Sequence, residues 1–223
     1  ATLCRSLSQL GFEVRIYSFT GKAYDYLKFK SSFQKEIGSR LYEYVNMAPI
    51  WGLLLFLFDQ LRLPPFWMTL ITQFYIPKSL RICLDHAEII IVDTPYLYPI
   101  LKNMLKTTSK AKILNTHNIE YELWKKRTLF SPIVKSIELK SYRTADQVLF
   151  CNSTDKLTFS SQIPDFSNKS YVVPNGVDID RFVFSTSIRK QYRDKLGLAD
   201  SSRMFLFTGS HYEPNKEAFS FIK

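Results

Sequence analysis

With 223 residues, 46% of them apolar and 22% charged, the chain is long enough for one sizeable domain and part of another, and too apolar to be disordered. Thirty Lys and Arg against twenty Asp and Glu give a net charge of +10, which suits a polyanionic partner or membrane surface as well as a plain solvated surface. No zinc-finger spacing, RNA-binding signature or aromatic-basic strand pattern accompanies that charge, which argues against nucleic acid as a partner, and Cys4, Cys83 and Cys151 are too scattered for a disulfide framework or a metal site.

Residues 2–10 read as the back half of a helix that Gly11 stops, and Pro214 to Lys223 as a helix that has just started, so the sequence reads as a piece cut at both ends. Phe12 to Ser18 alternates apolar and polar, as a strand does. Residues from about 23 to 84 carry no strand pattern and read as helices punctuated by Pro49, Pro64-Pro65 and Pro77. Glu88-Ile89-Ile90-Ile91-Val92 is the short apolar run of a strand buried on both faces, with a helix over roughly 96–107 behind it. Ala111 to Thr116 is the next strand, followed by a helical stretch from about 119 to 144 that Pro132 interrupts. Gln147 to Cys151 is a strand leading through Asn152-Ser153 into a helix, and Ser170 to Val173 a strand stopped by Pro174-Asn175-Gly176. After an irregular stretch with Asp178, Asp180 and Arg181, a helix from Arg189 ends at Gly197, and Met204 to Thr208 begins a new βα unit.

Strands alternating with helices predict a doubly wound, mostly parallel α/β sheet, with the strand at 203–208 outside it. Ligands of such sheets bind at the carboxyl ends of the strands. Those ends carry Asp93-Thr94-Pro95, Thr116-His117-Asn118, Asn152-Ser153, Asn175-Gly176 and Gly209-Ser210-His211, which are small, polar or histidine.

Three segments carry a resemblance. They are Thr116-His117-Asn118-Ile119-Glu120; Glu138 with Ala145-Asp146-Gln147-Val148 and Asn152-Ser153; and Val173-Pro174-Asn175-Gly176-Val177-Asp178 with Arg181-Phe182. In this order and ahead of a new βα unit, the chain resembles family 4 glycosyltransferases of the GT-B fold, clearly over about 86–223 and 1–18. Phe207-Thr208-Gly209-Ser210 with Pro214-Asn215 is similar to a subset of that family. The resemblance implies a Rossmann-like acceptor-side domain over 1–180, with a helical insertion at about 20–84. Residues 181–223 would be a linker and the start of a second Rossmann-like domain, truncated before its paired-glutamate motif. It implies retaining transfer of a sugar from a nucleotide-sugar to a glycan or lipid-linked acceptor hydroxyl in polysaccharide or glycolipid synthesis. It also implies no cofactor, the nucleotide-sugar being a substrate, and no metal. With the nucleotide half incomplete, 1–223 alone is expected to be inactive. The rivals are an epimerase-like relative of the same fold and a non-catalytic nucleotide- or membrane-binding module.

His117 matches the family histidine that faces the donor sugar, as a neutral hydrogen-bonding imidazole; the bland alternative is a strand-end histidine that caps a helix. Asn118 and Glu120 either cap that helix or border the site. Asn175 and Gly176 are first a turn between domains and second a donor contact. Gly209 lets backbone approach a phosphate. Ser210 stands where many members carry a basic residue, and Lys216 is the nearest candidate for a second one.

Ile50 to Phe58, with Phe66-Trp67-Met68 beyond, is too short an apolar run to span a bilayer. It either packs on the domain or dips into a membrane interface through about 47–76. The scattered thiols point to a reducing compartment, hence a cytoplasmic protein with any lipid contact at the inner membrane face.

Overall fold

The computed structural model describes residues 2–19, 31–47, 49–61, 78–98, 102, 109–125, 129–177, 179, 183–209 and 213–222. They fall into two units, Ala1–Val177 and Asp178–Lys223.

In the first unit, α1 (Thr2–Gln9) ends at Gly11, whose φ of 95° is the left-handed conformation that closes a helix and favours glycine. β1 (Val14–Ser18) follows. Next come β2 (Phe33–Gly38) and β3 (Leu41–Val45), an antiparallel hairpin turned at Ser39-Arg40 with Arg40 at φ 55°. This hairpin lies where only helices were expected. Its pattern was hidden because β2 is exposed almost throughout, so its outward Lys35 and Glu36 sit among residues with no buried face to reveal a period of two. β3 carries the hydrophobic anchor: Leu41 and Val45 are buried, and the strand runs parallel to β1 from Val14 beside Leu41 to Ser18 beside Val45. β1 therefore belongs to a three-stranded sheet of order β1-β3-β2, not to the same sheet as the later strands as expected. The insertion also holds α2 (Pro49–Gln60) and α3 (Lys78–His86), while the expected helical run over 62–77 lies outside the described residues.

The second sheet is the one the βα rhythm announces, but its first strand is not buried on both faces as expected: Ile90 and Val92 are buried, while Ile89 and Ile91 are exposed. β4 (Ile89–Asp93), β5 (Ala111–Thr116), β6 (Gln147–Phe150) and β7 (Ser170–Val172) lie in chain order, all parallel. Helices α4 (Glu120–Lys125) and α5 (Ser131–Thr144) fill the expected helical stretch, and Pro132, expected to interrupt it, instead sits in the first turn of α5, where its missing N–H costs nothing. α6 (Ser153–Ser160) starts on Asn152, whose Oδ1 accepts the Asp155 N–H at 2.8 Å. The core gathers Ile90, Val92, Leu114, Val148 and Phe150 from the sheet with Leu80, Tyr142, Phe159 and Phe166 from the helical layer. Tyr142 meets Phe159 edge-on at 4.6 Å and Phe150 at 5.7 Å. Each fully buried side chain of this kind contributes about 1.5–3 kcal/mol. At the opposite end of the strands from the candidate site, Asp146 Oδ2 accepts the Lys112 N–H at 2.8 Å and its own N–H donates to Lys112 O at 2.9 Å, locking β6 to β5.

In the second unit, α7 (Thr186–Lys195) is capped by Ser185, which accepts the Ile188 N–H, and closed by Gly197 at φ 66°. Arg193 is buried and donates to the carbonyls of Ser202, at 2.7 Å, and Ala199. Residues 203–208, expected as a strand, pair with no described strand; Phe205 and Leu206 are exposed, and Phe207 packs on Phe219 of α8 (Glu213–Ile222). Among the described residues no helix is long and apolar enough to cross a membrane.

Candidate functional site

The carboxyl ends of β4 to β7 set four side chains in a row. The register that places Asp93 beside Asn115 and Thr116 beside Phe150 fixes their order. Asp93 is the last residue of β4, His117 follows β5, Cys151 follows β6, and Asn175 lies three residues beyond β7.

His117 Nε2 lies 2.8 Å from Asp93 Oδ1. The same oxygen accepts the Asn115 Nδ2–H at 2.7 Å, so the carboxylate is held from the neighbouring strand. A carboxylate offers only lone pairs, so the ring nitrogen facing it carries the hydrogen. Nδ1 turns to the other side, 3.9 Å from Cys151 Sγ. The thiol donates instead to Thr116 O at 3.2 Å and faces the Asn175 side chain. Burial, with Asp155 and Asp93 nearby, pushes the Cys151 thiol up, so it stays an S–H donor and is no thiolate nucleophile. The His117 and Asp93 side chains are 42% and 67% exposed, so they face open solvent at the sheet edge.

The backbone leaves β4 in an unusual way. Thr94 has φ 96°, a conformation that a β-branched residue rarely adopts, and its N–H donates to Asn115 O at 3.0 Å. Backbone strain of this kind concentrates beside functional sites.

Behind His117 the support is buried. Thr116 Oγ1 donates to Leu149 O at 3.1 Å. On the other side, Glu138 of α5, fully buried, receives the Glu120 N–H on Oε1 at 2.8 Å and the Tyr121 N–H on Oε2 at 2.9 Å. Ile119, ahead of α4, has no side-chain acceptor to offer these N–H groups. Glu138, and not Asn118, is the cap of that helix, while Asn118 is exposed beside His117. The Glu120 carboxyl is pushed up by burial and lies near the Tyr96 hydroxyl and His117.

Gly176 is exposed coil next to Asn175. Gly209 and Lys216 belong to the second unit. A Cβ on Gly209 would sit 2.8 Å from the Asn215 side chain, so glycine is what lets Asn215 fold against that loop. Lys216 is exposed on α8, and Ser210 lies outside the described residues. The sequence singled out His117, placed Asp93 among the strand-end residues without a role of its own, and gave Cys151 none. Their signal was positional, since each stands at a strand's carboxyl end. Among the described residues no cluster of His, Cys, Asp and Glu could hold a metal ion.

Residues 1–181 of the 223 match the family model described as Glycosyltransferase Family 4. No curated protein matches the chain.

Proposed function

We propose that this chain, which belongs to glycosyltransferase family 4, forms the acceptor-side half of a retaining transferase. The enzyme moves a sugar from a nucleotide-sugar to an acceptor hydroxyl in glycan, polysaccharide or glycolipid synthesis. The observation that supports it best is the His117–Asp93 pair at the carboxyl edge of a parallel sheet. With Nε2–H given to Asp93, a neutral ring presents the Nδ1 lone pair. That atom accepts from a sugar hydroxyl, a donor, and has nothing to offer a phosphate oxygen, which only accepts. In this reading His117 orients the donor sugar as its bond to the diphosphate breaks, and Asn175 and Gly176 border the same edge. The leaving diphosphate falls to Gly209, Ser210, Lys216 and the N-terminal turn of α8, with no metal required.

The setting we propose is the cytoplasmic face of a membrane bearing a lipid-linked acceptor. Leu53, Phe56 and Leu57 recur at helical spacing along α2, and all three are exposed.

The test is His117→Ala in the full-length protein, assayed against a panel of nucleotide-sugars with product configuration read by NMR. A hydrogen bond that strengthens only as the bond breaks lowers the barrier selectively. Its loss slows turnover on the order of 10²-fold while nucleotide affinity and circular dichroism hold. Turnover near the wild-type rate would make His117 a strand-end residue and remove this assignment.

A further inference from the structure

We propose that Glu138 is a positioning residue, whose buried carboxylate grips the first turn of α4 and through that grip sets the ring of His117. The inference rests on the reading of His117 as the substrate-facing residue, and deepens it. Glu138 is fully buried at the centre of α5. Its two oxygens take three donors: the backbone N–H groups of Glu120 and Tyr121 and the Tyr142 hydroxyl at 3.1 Å. Among the described residues no cation pairs with it. A buried carboxylate without a cation is an expensive way to fill a core, and an apolar residue of the same volume would pack there at no such cost. What an apolar residue could not do is hold two backbone N–H groups. The grip is needed because α4 is short: its described part, Glu120–Lys125, is six residues, and a helix under about 12 residues is marginal on its own in water.

The consequence for His117 follows from chain length. Upstream, Thr116 is fixed by its hydroxyl on Leu149 O and by the Cys151 thiol on its carbonyl. Downstream, Glu120 and Tyr121 are fixed by Glu138. Only His117, Asn118 and Ile119 lie between the two anchors. If the downstream anchor is released, the three-residue bridge relaxes and the ring drifts from Asp93. Exposed pairs such as His117–Asp93 contribute too little on their own to hold the loop.

The test reads the ring directly, independently of activity. Long-range 15N–1H spectra of the full-length protein follow the His117 ring nitrogens, assigned by their loss in His117→Ala. Amide exchange of Glu120 and Tyr121 is measured alongside. In Glu138→Leu we expect the His117 Nε2 signal to move toward the value of a free imidazole, and the two amides to exchange on the order of tenfold faster, as loss of a helix cap implies. Glu138→Gln keeps one acceptor oxygen and gives an intermediate shift. Tyr142→Phe spares both backbone bonds and leaves His117 near the wild type. If Glu138→Leu does not fold, Glu138→Gln carries the test. Unchanged His117 signals in whichever of these variants is folded would overturn the proposal, leaving Glu138 as a core cap. A shifted ring in Glu138→Gln together with full turnover in His117→Ala would instead sink the substrate-facing reading and leave the grip standing.

Discussion

His117 Nε2 and Asp93 Oδ1 meet at 2.8 Å across two neighbouring parallel strands, with Asn115 of β5 holding the same oxygen. Both side chains are well exposed, and exposed pairs contribute about 0–1 kcal/mol to stability. The pair therefore does little for the fold and much for the orientation of one ring. Asp93→Ala is expected to lower turnover on the order of ten- to a hundredfold, while shifting the unfolding free energy by less than about 1 kcal/mol. Initial rates and chemical denaturation on one preparation decide it. A variant that loses stability and activity in proportion would make Asp93 a structural residue.

Thr94 supplies the second prediction. At φ 96° it holds a conformation that suits glycine, directly between Asp93 and Pro95. Thr94→Gly relieves about 1–2 kcal/mol of backbone strain and adds up to about 1 kcal/mol of unfolded-chain entropy, so stability should hold or rise slightly. The turn also loosens, and with it the carboxylate that orients His117, so turnover should fall. A drop in the denaturation midpoint beyond that of a neutral surface variant would contradict the strain argument.

The third concerns pH. Burial pushes the Glu138 carboxyl up to about 7 from 4.5, against the pull of the Tyr121 and Glu120 N–H groups and the Tyr142 hydroxyl, with the Glu120 carboxylate adding to the rise. The Tyr96 hydroxyl faces the same pair of carboxyls. A carboxyl whose folded pKa is raised binds its proton more tightly in the native state. The stability it contributes is complete below about pH 4.5 and is lost as pH rises through about 7. Between pH 4.5 and 7.5 the unfolding free energy should fall by on the order of 2–3 kcal/mol more in the wild type than in Glu138→Gln. Urea titrations at several pH values measure this difference, and parallel slopes for the two proteins would refute it.

The second sheet was legible because its strands are short apolar runs closed by local stop and cap signals. The strand at Ile89–Val92, the stop at Pro174, the Asn152 cap and the Gly197 helix end are local signals that stand where the sequence put them; Pro132 instead sits inside the first turn of α5, and the Ile89–Val92 run is buried on one face only. The β2–β3 hairpin was not legible, since an exposed edge strand has no buried alternation to detect. The site divides the same way. His117 follows a readable strand, but its contact with Asp93 spans 24 residues and depends on the β4–β5 register. Glu138 was recognised within a motif, yet its task depends on α5 folding back so that residue 138 faces residues 120 and 121. Asp146, from the same motif, turned out to fasten the far end of the strands.

The last prediction concerns α2. Leu53, Phe56 and Leu57 stand at the spacing that brings side chains onto one helix face, and Leu61, just past its end, continues the line. Together they leave an apolar stripe uncovered on a chain of net charge +10, with Lys78 and Arg81 exposed on α3. A stripe of this width lying in the headgroup boundary buries apolar area while the basic surface meets anionic lipid. Each fully buried side chain gives about 1.5–3 kcal/mol, so two of them account for a change in partitioning of 10²-fold or more. The protein should therefore float with vesicles containing anionic lipid, more weakly with neutral ones, and less as salt rises. Leu53→Ser/Phe56→Ser should abolish flotation without changing circular dichroism, because neither side chain is buried in the fold. Equal recovery of the wild type and a folded double variant would mean that the stripe is no lipid contact, and that the net positive charge serves some other purpose.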